Sequence, residues 1–219
     1  MVRIGFLGGT GIEAEGLALR FASAGASVVL GSRSPARAAG AAEKCNLTMG
    51  QNLVRGMDNR GMIEASEIVF LTVPFIQAAE VMERYRSHLG PSHVLVDVTV
   101  PMVFRQDHME YLHENEVSNS ELLVSRLPDG VPLVAAFKTI PAAILANLRT
   151  ALNCDVIVCG DVEDAKQKVM AAASMIPSLR ALDGGPLRTA RTLERMTVLA
   201  AELNRRYKKN GARYRLEGI

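Results

Sequence analysis

The stretch VRIGFLGGTGIEAEG, Val2–Gly16, decides the fold. Val2–Gly8 is a short apolar run of the kind that fills a buried strand. Gly9, Gly11 and Ala14 then stand at the spacing G-x-G-x-x-G/A. Glu13–Gly25 carries helical spacing and ends on a glycine, a common helix stop. A strand, a glycine turn and a helix in that order open a dinucleotide-binding unit. The first glycine permits a tight turn. The second lets the backbone approach a pyrophosphate with no side chain in the way. Ala14 allows close helix–strand packing. The helix N-terminus presents free N–H groups and a partial positive charge to the phosphates. A plain glycine-rich turn would share the letters, but not the strand, helix and second strand around them.

Beyond this start, short apolar runs keep alternating with longer amphipathic ones. Strands are predicted at Ser27–Gly31, Glu67–Pro74, Ser92–Pro101, Pro132–Thr139, Asp155–Gly160 and Ser178–Gly185, with a weaker one near Leu53–Val54. Helices are predicted at Pro35–Cys45, Phe75–Gly90, Ser120–Leu127, Pro141–Leu152, Asp161–Ile176 and Pro186–Lys209. The polar stretch Arg105–Ser120 gets no assignment. Strand–helix alternation of this kind builds a parallel sheet covered on both faces. The expected fold is therefore α/β: a Rossmann-type, doubly wound, mostly parallel sheet with a small C-terminal helical extension. Residues 1–183 would form the dinucleotide-binding domain. Residues 184–219 would close the cleft or make a dimer contact.

The tip of the second strand selects the dinucleotide. An Asp or Glu there bonds the ribose 2′-hydroxyl of NAD, whereas an Arg accommodates the 2′-phosphate of NADP. Here the tip reads SRSPAR, with Ser32, Arg33, Ser34 and Arg37 and no acid. A phosphate gains a charge-assisted contact with Arg33, with the two serines as further donors. Arg37, one helical turn on, reaches the same region. The alternative is a solvated helix N-terminus, but cations there oppose the helix dipole unless an anion is present. NADP is the expected cofactor.

Composition narrows the class. The chain has 219 residues, 48% of them hydrophobic, so it can bury a sizeable core. Trp is absent and aromatics make up 5%, which predicts an aliphatic core. Lys plus Arg number 25 against 23 Asp plus Glu, a balance that argues against a nucleic-acid or membrane-surface partner for the whole chain. Three scattered cysteines and four scattered histidines offer no disulfide framework and no metal spacing. No apolar run reaches membrane-spanning length, and no signal-peptide layout opens the chain, so a cytoplasmic location is expected.

Ligands in such sheets lie outside the carboxyl ends of the strands. Thr72–Phe75, Asp97–Pro101 and Phe137–Pro141 stand there. Asp97 is a proton donor or, more simply, a strand-end cap. Lys138 is a general acid, an anion anchor or a solvated strand end. No nucleophile–base arrangement is legible, which leaves chemistry carried by the cofactor.

Taken together, GFLGGTG…GLALRFASAGASVVLGSR, FLTVPF, FKTIPAA…ANL, DVIVCGD…AK and LDGGPL…AR run in order along nearly the whole chain. They resemble the NADPH-dependent F420 reductases, which exchange a hydride between NADP(H) and the deazaflavin coenzyme F420. The resemblance implies a homodimer, and a deazaflavin stacked on the nicotinamide in a cleft closed by the C-terminal part. It implies that Thr10, Gly11 and Ile12 meet the phosphates. Ser32, Arg33 and Arg37 would hold the 2′-phosphate. Thr72, Val73 and Pro74 would sit by the ribose and nicotinamide. Lys138, Ile140 and Pro141 would face the deazaflavin, with Phe75 beside them. Phe75 stands where the family has Trp, and Lys138 where it has His or Asn. Such a pair needs no side-chain acid at the reacting carbon; the protein supplies alignment and excludes water.

Two rival expectations stand beside this one. The chain could be an NADPH-dependent reductase of an imine, carbonyl or flavin with Lys138 as acid, or a non-enzymatic NADPH sensor. The strip Asn204–Arg215 carries six cations and no acid. It would suit the phosphate and oligoglutamate tail of F420, or simply complete a C-terminal helix and complement its dipole.

Overall fold

A computed structural model describes residues 1–112 and 117–219. Its centre is an eight-stranded sheet: β1 (Arg3–Leu7), β2 (Ser27–Ser32), β3 (Val54–Asp58), β4 (Ile68–Leu71), β5 (Val94–Asp97), β8 (Leu133–Ala135), β9 (Cys154–Gly160) and β10 (Leu179–Asp183). The strand order is β10-β9-β8-β5-β4-β1-β2-β3. From β3 to β8 all neighbours are parallel. The order reverses between β1 and β4, which opens a crevice at their carboxyl ends.

Helices α1 (Ile12–Ser23), α2 (Pro35–Met49), α3 (Asn59–Glu64), α4 (Phe75–Tyr85), α5 (Asn119–Val124), α6 (Ala142–Leu145), α7 (Glu163–Ser174) and α8 (Ala190–Arg206) cover the two faces. Each face has its own apolar cluster. One centres on Phe6, Leu17, Phe21 and Phe70, the other on Leu7, Ile63, Leu71 and Leu95. Strands buried on both faces read as continuous apolar runs, which is why β1, β2, β4 and β5 were visible in the sequence.

The expectation of an aliphatic core needs amending. Phe6, Phe21, Phe70 and Phe137 are buried together, with Phe6 and Phe70 stacked at 5.1 Å between ring centroids. Phe137 meets both Phe21 and Phe70 edge-on, at 5.6 and 5.5 Å. Its φ of 59° lies in the left-handed region, which a bulky residue adopts only when packing holds it there. That turn stops β8 at Ala135, short of the strand predicted to Thr139, and sends Lys138–Pro141 across the crevice.

Three other elements differ from expectation. The helix predicted over Pro141–Leu152 is the single turn α6. Arg20 of α1 explains the brevity: its buried guanidinium donates to the carbonyls of Ile144, Leu145, Asn147 and Thr150, satisfying oxygens that a longer helix would have used. β9 runs antiparallel to β8, because the intervening link re-enters the sheet at the same end of the strands that it left. Within Arg105–Ser120, left unassigned, lie the end of a hairpin of β6 (Met102–Arg105) and β7 (His108–Tyr111) and the start of α5. His113 lies outside the described residues. Among the described residues no helix is long and apolar enough to cross a membrane.

Candidate functional site: a two-lobed cleft at the strand ends

The glycine turn between β1 and α1 forms the floor of the crevice. Its left-handed residue is Gly8, at φ 87°, where a Cβ would stand 2.4 Å from the Val73 side chain. The tight turn therefore belongs to Gly8, and not to Gly9 as the motif spacing suggested. Gly9 serves close packing instead: its N–H donates to Gly31 O at 2.7 Å, and a Cβ would lie 3.0 Å from the Gly31 nitrogen and Leu30 Cα. Gly11 is the N-cap of α1, with no side chain bonded to the first turn. A Cβ there would meet only Thr72 O, at 4.0 Å. The amides of the first turn thus face open space, the arrangement an anion needs. Ala14 is fully buried, as close helix–strand packing requires.

Beside the turn stands the tip of β2. Arg33 and Arg37 are both exposed, and Arg37 Nη2 donates to Thr10 Oγ1 at 3.4 Å, linking the tip to the glycine turn. Ser32 Oγ accepts from the Ser34 N–H, and Ser34 Oγ accepts from the Arg37 N–H as the cap of α2. Ser34 is thus spent on the helix and is absent from the cleft lining. The other three residues line a cavity of about 340 Å³ with Gly8, Thr10 and Gly11.

The far wall of this lobe comes from α3 and α4. Asn59 begins α3, donates from Nδ2 to the Tyr85 hydroxyl at 3.0 Å, and leaves Oδ1 buried and unpaired. It is the one such side-chain atom among the described residues. A cavity that holds two guanidiniums beside free helix amides fits a ligand bearing several phosphates. NADP meets that description. No sequence motif pointed to Asn59 or Tyr85, because α3 was not recognised and its residues carry no repeat.

Gly11, Thr72, Val73 and Pro74 line this lobe and also a second, of about 500 Å³, so the two adjoin along these residues. Thr72 is fixed by its N–H and hydroxyl, both donating to Leu7 O at 3.1 Å. Ile12 and Glu13 form one side of the second lobe, with Phe75 at the start of α4 nearby. Thr139, Ile140 and Pro141 form the other side, and Thr197, Ala200, Ala201 and Asn204 of α8 complete it. These four α8 residues stand at i, i+3, i+4 and i+7, one helical face of small and polar side chains. That spacing was the available signal for a cleft wall, and sequence reasoning passed over it.

Lys138 departs from its expected role. Its side chain has no exposed surface; the ammonium donates to Asp97 Oδ2 at 2.8 Å and to Thr99 O, with Glu194 Oε1 3.4 Å away. A group without accessible surface, held by two carboxylates, cannot hand a proton to a ligand in the cleft. The carbonyl of Lys138 accepts from the Thr197 hydroxyl at 3.0 Å, so its backbone helps fix the wall. Asp97 is the strand-end cap anticipated: it accepts from the Thr99 N–H and hydroxyl and from the Ser120 hydroxyl. Glu194 accepts from the Asn119 N–H and from the Tyr111 hydroxyl at 2.6 Å. This buried cluster binds β5, β7, α5, the turn after β8 and α8 into one wall.

Glu13 is the opposite case. It is partly buried in the cleft, and among the described residues no hydrogen bond or ion pair reaches its carboxyl. Burial pushes that carboxyl up to about 8.

Residues 3–101, which include the glycine turn and both strand tips, match the family model described as NADP oxidoreductase, coenzyme F420-dependent. The F420-dependent NADP reductase of Methanothermobacter thermautotrophicus is 32% identical over 224 residues, covering 100% of this chain and 96% of that one. The chain belongs to the F420-dependent NADP reductase family. The reductase of the same name from Methanocaldococcus jannaschii is 29% identical and matches 100% of this chain and 99% of its own. A metalloreductase of Rattus norvegicus, STEAP3, is 32% identical over 88% of this chain but only 36% of that protein. Among solved structures, a putative F420-dependent NADP reductase from Arthrobacter superposes at a TM-score of 0.83, with 19% identity and both chains fully covered. That likeness supports the Rossmann-type fold.

Proposed function

We propose that this chain transfers a hydride between NADP(H) and coenzyme F420. The observation that carries the reading is that the two lobes adjoin, sharing Gly11, Thr72, Val73 and Pro74. One lobe has the cationic end and free helix amides that a 2′-phosphorylated dinucleotide requires. The adjoining lobe is largely apolar and large enough for a tricyclic ring.

In this reading the amides of Gly11 and Ile12, with Thr10, hold the pyrophosphate. Ser32, Arg33 and Arg37 hold the 2′-phosphate, and Thr72–Pro74 support the ribose and nicotinamide. Phe75, Ile140 and Pro141 contact the deazaflavin, and Lys138 contributes through its backbone. The bound pair supplies its own redox chemistry. The protein aligns donor and acceptor carbons and keeps water out.

Residues 1–183 act as the dinucleotide-binding unit, and 184–219 close the cleft through α8. The reading includes a homodimer. Leu199 and Leu203 of α8, with Tyr207 just past its end, leave an exposed apolar stripe that a second copy could cover. Both co-substrates are small soluble molecules, and the reading places the protein in the cytoplasm. The rival acceptor reading loses Lys138 as its acid, since that side chain is buried between Asp97 and Glu194.

The test is NADPH-dependent loss of deazaflavin absorbance, and its reverse, with purified protein. Turnover is expected in both directions. NADPH binding without turnover in either direction would overturn the proposal.

A further inference from the structure

The cleft contains one chemical feature that hydride alignment does not use. Among the described residues lining the second lobe, only Glu13 and Lys138 have ionisable side chains. The Lys138 ammonium is sealed among Asp97, Glu194 and Thr99. Glu13 alone offers an accessible proton. It sits on the first turn of α1, two residues after Gly11, where the two lobes join.

A carboxylate at a helix N-terminus is ordinarily welcome and finds an N–H or a cation. Glu13 has neither. On the α2 side the nearby cations are engaged elsewhere: Lys44 pairs with Glu15 at 2.5 Å, and Arg37 reaches Thr10. On the other side α6 carries no ionisable residue between Ala142 and Leu145. Arg20, further along α1, is committed to four carbonyls. Among the described residues no ion pair or hydrogen bond offsets the loss of water around the carboxyl, and burial outweighs the positive end of α1, so it keeps its proton at neutral pH. A polyanionic dinucleotide on the same helix end makes ionisation harder still.

The proposed reaction needs such a proton. Reducing a deazaflavin by two electrons adds a hydride to a ring carbon and a proton to a ring nitrogen. We infer that Glu13 is the acid–base residue of the cleft, giving its proton to the deazaflavin nitrogen during reduction and recovering it during oxidation. The inference rests on the hydride-transfer reading above. In the forward direction the C–H bond at C4 of the dihydronicotinamide breaks with its electron pair, and a C–H bond forms on the deazaflavin. NADPH is oxidised and F420 is reduced. The Glu13 O–H bond breaks as the ring N–H bond forms, and water reprotonates the carboxylate after product leaves. An acid whose pKa lies near the working pH suits this exchange.

The test compares wild type with Glu13→Gln, which is isosteric and neutral and breaks no contact. In wild type, kcat for F420 reduction should fall on an alkaline limb that lies above 8, because the bound dinucleotide raises the carboxyl beyond its value of about 8 in the free protein. In the variant kcat at pH 7 should drop by about a hundredfold, the lower end for general-acid catalysis, and that alkaline limb should vanish. NADPH affinity at pH 7 should stay unchanged, which also shows that the variant is folded. A second readout is independent of turnover: carbon NMR of the free protein should show a carboxyl titrating near 8 that is missing from the variant. A variant with wild-type kcat and the same alkaline limb would overturn the inference, as would the absence of that carboxyl signal. Wild type that binds NADPH yet never reduces F420 would instead sink the underlying reading, and this one with it.

Discussion

Removing Arg33 should separate NADPH from NADH. The side chain is exposed at the end of β2, on a tip without a carboxylate, in a lobe it shares with Arg37 and the glycine turn. A hydrogen bond to a charged group contributes about 1.5–3 kcal/mol. Arg33 is solvated, so the lower end applies. At about 1.4 kcal/mol per decade, Arg33→Ala should weaken NADPH binding roughly tenfold. NADH has no 2′-phosphate and should bind as it does to wild type. Arg37 faces the same region through Thr10. Arg33→Ala with Arg37→Ala should approach a hundredfold loss for NADPH if the two contacts are independent. Added salt should narrow the gap, since solvated charges are screened over about 10 Å at 0.1 M. Fluorescence titration of the reduced nucleotides measures all six affinities. Equal losses for NADPH and NADH would refute the assignment of this tip to the 2′-phosphate.

Other consequences concern the walls of the cleft. Lys138→Met should lower folding stability by about 3–5 kcal/mol in urea denaturation, because it strands two buried carboxylates. A fully stable variant that has lost only turnover would restore Lys138 as an acid. Gly9→Ala should weaken both nucleotides alike, since a Cβ 3.0 Å from Leu30 and Gly31 must push the turn off the strand; unchanged affinities would show that the turn absorbs it. Glu121, bonded by Arg191 and the cap of α5, has its carboxyl pulled from 4.5 down to about 2. The sign follows from the lowered value: its contribution is present above about pH 4.5 and is lost as pH falls toward 2. Glu121→Gln should therefore flatten the acid limb of stability between those values, and an unchanged limb would assign that limb to other groups.

The parts of the fold with local signatures were legible. β1, α1, β2 and the start of α2 announce themselves through apolar runs, a glycine spacing and a Ser-Pro cap. The phosphate side of the site follows from the same residues. What was hidden depends on contacts distant in sequence. α6 is cut short by Arg20, more than 120 positions away. β8 ends early because Phe137 is captured by Phe21 and Phe70. Lys138 sits at a strand end, which in sequence suggests a cleft. Only the folded chain shows that Asp97 and Glu194 draw the ammonium inward. Asn59 became visible only through its buried side chain, fixed on the Tyr85 hydroxyl beside the cleft.

Direct transfer can be read by labelling. NADPH carrying deuterium at C4 of the nicotinamide, prepared in each of its two stereochemical forms, is mixed with the protein and F420 in ordinary water. A shared cleft that seats the two rings together predicts that one form delivers its deuterium to the deazaflavin ring carbon and the other delivers none. Deuterium appearing in water, or reduced F420 carrying no label from either form, would contradict hydride transfer within this cleft.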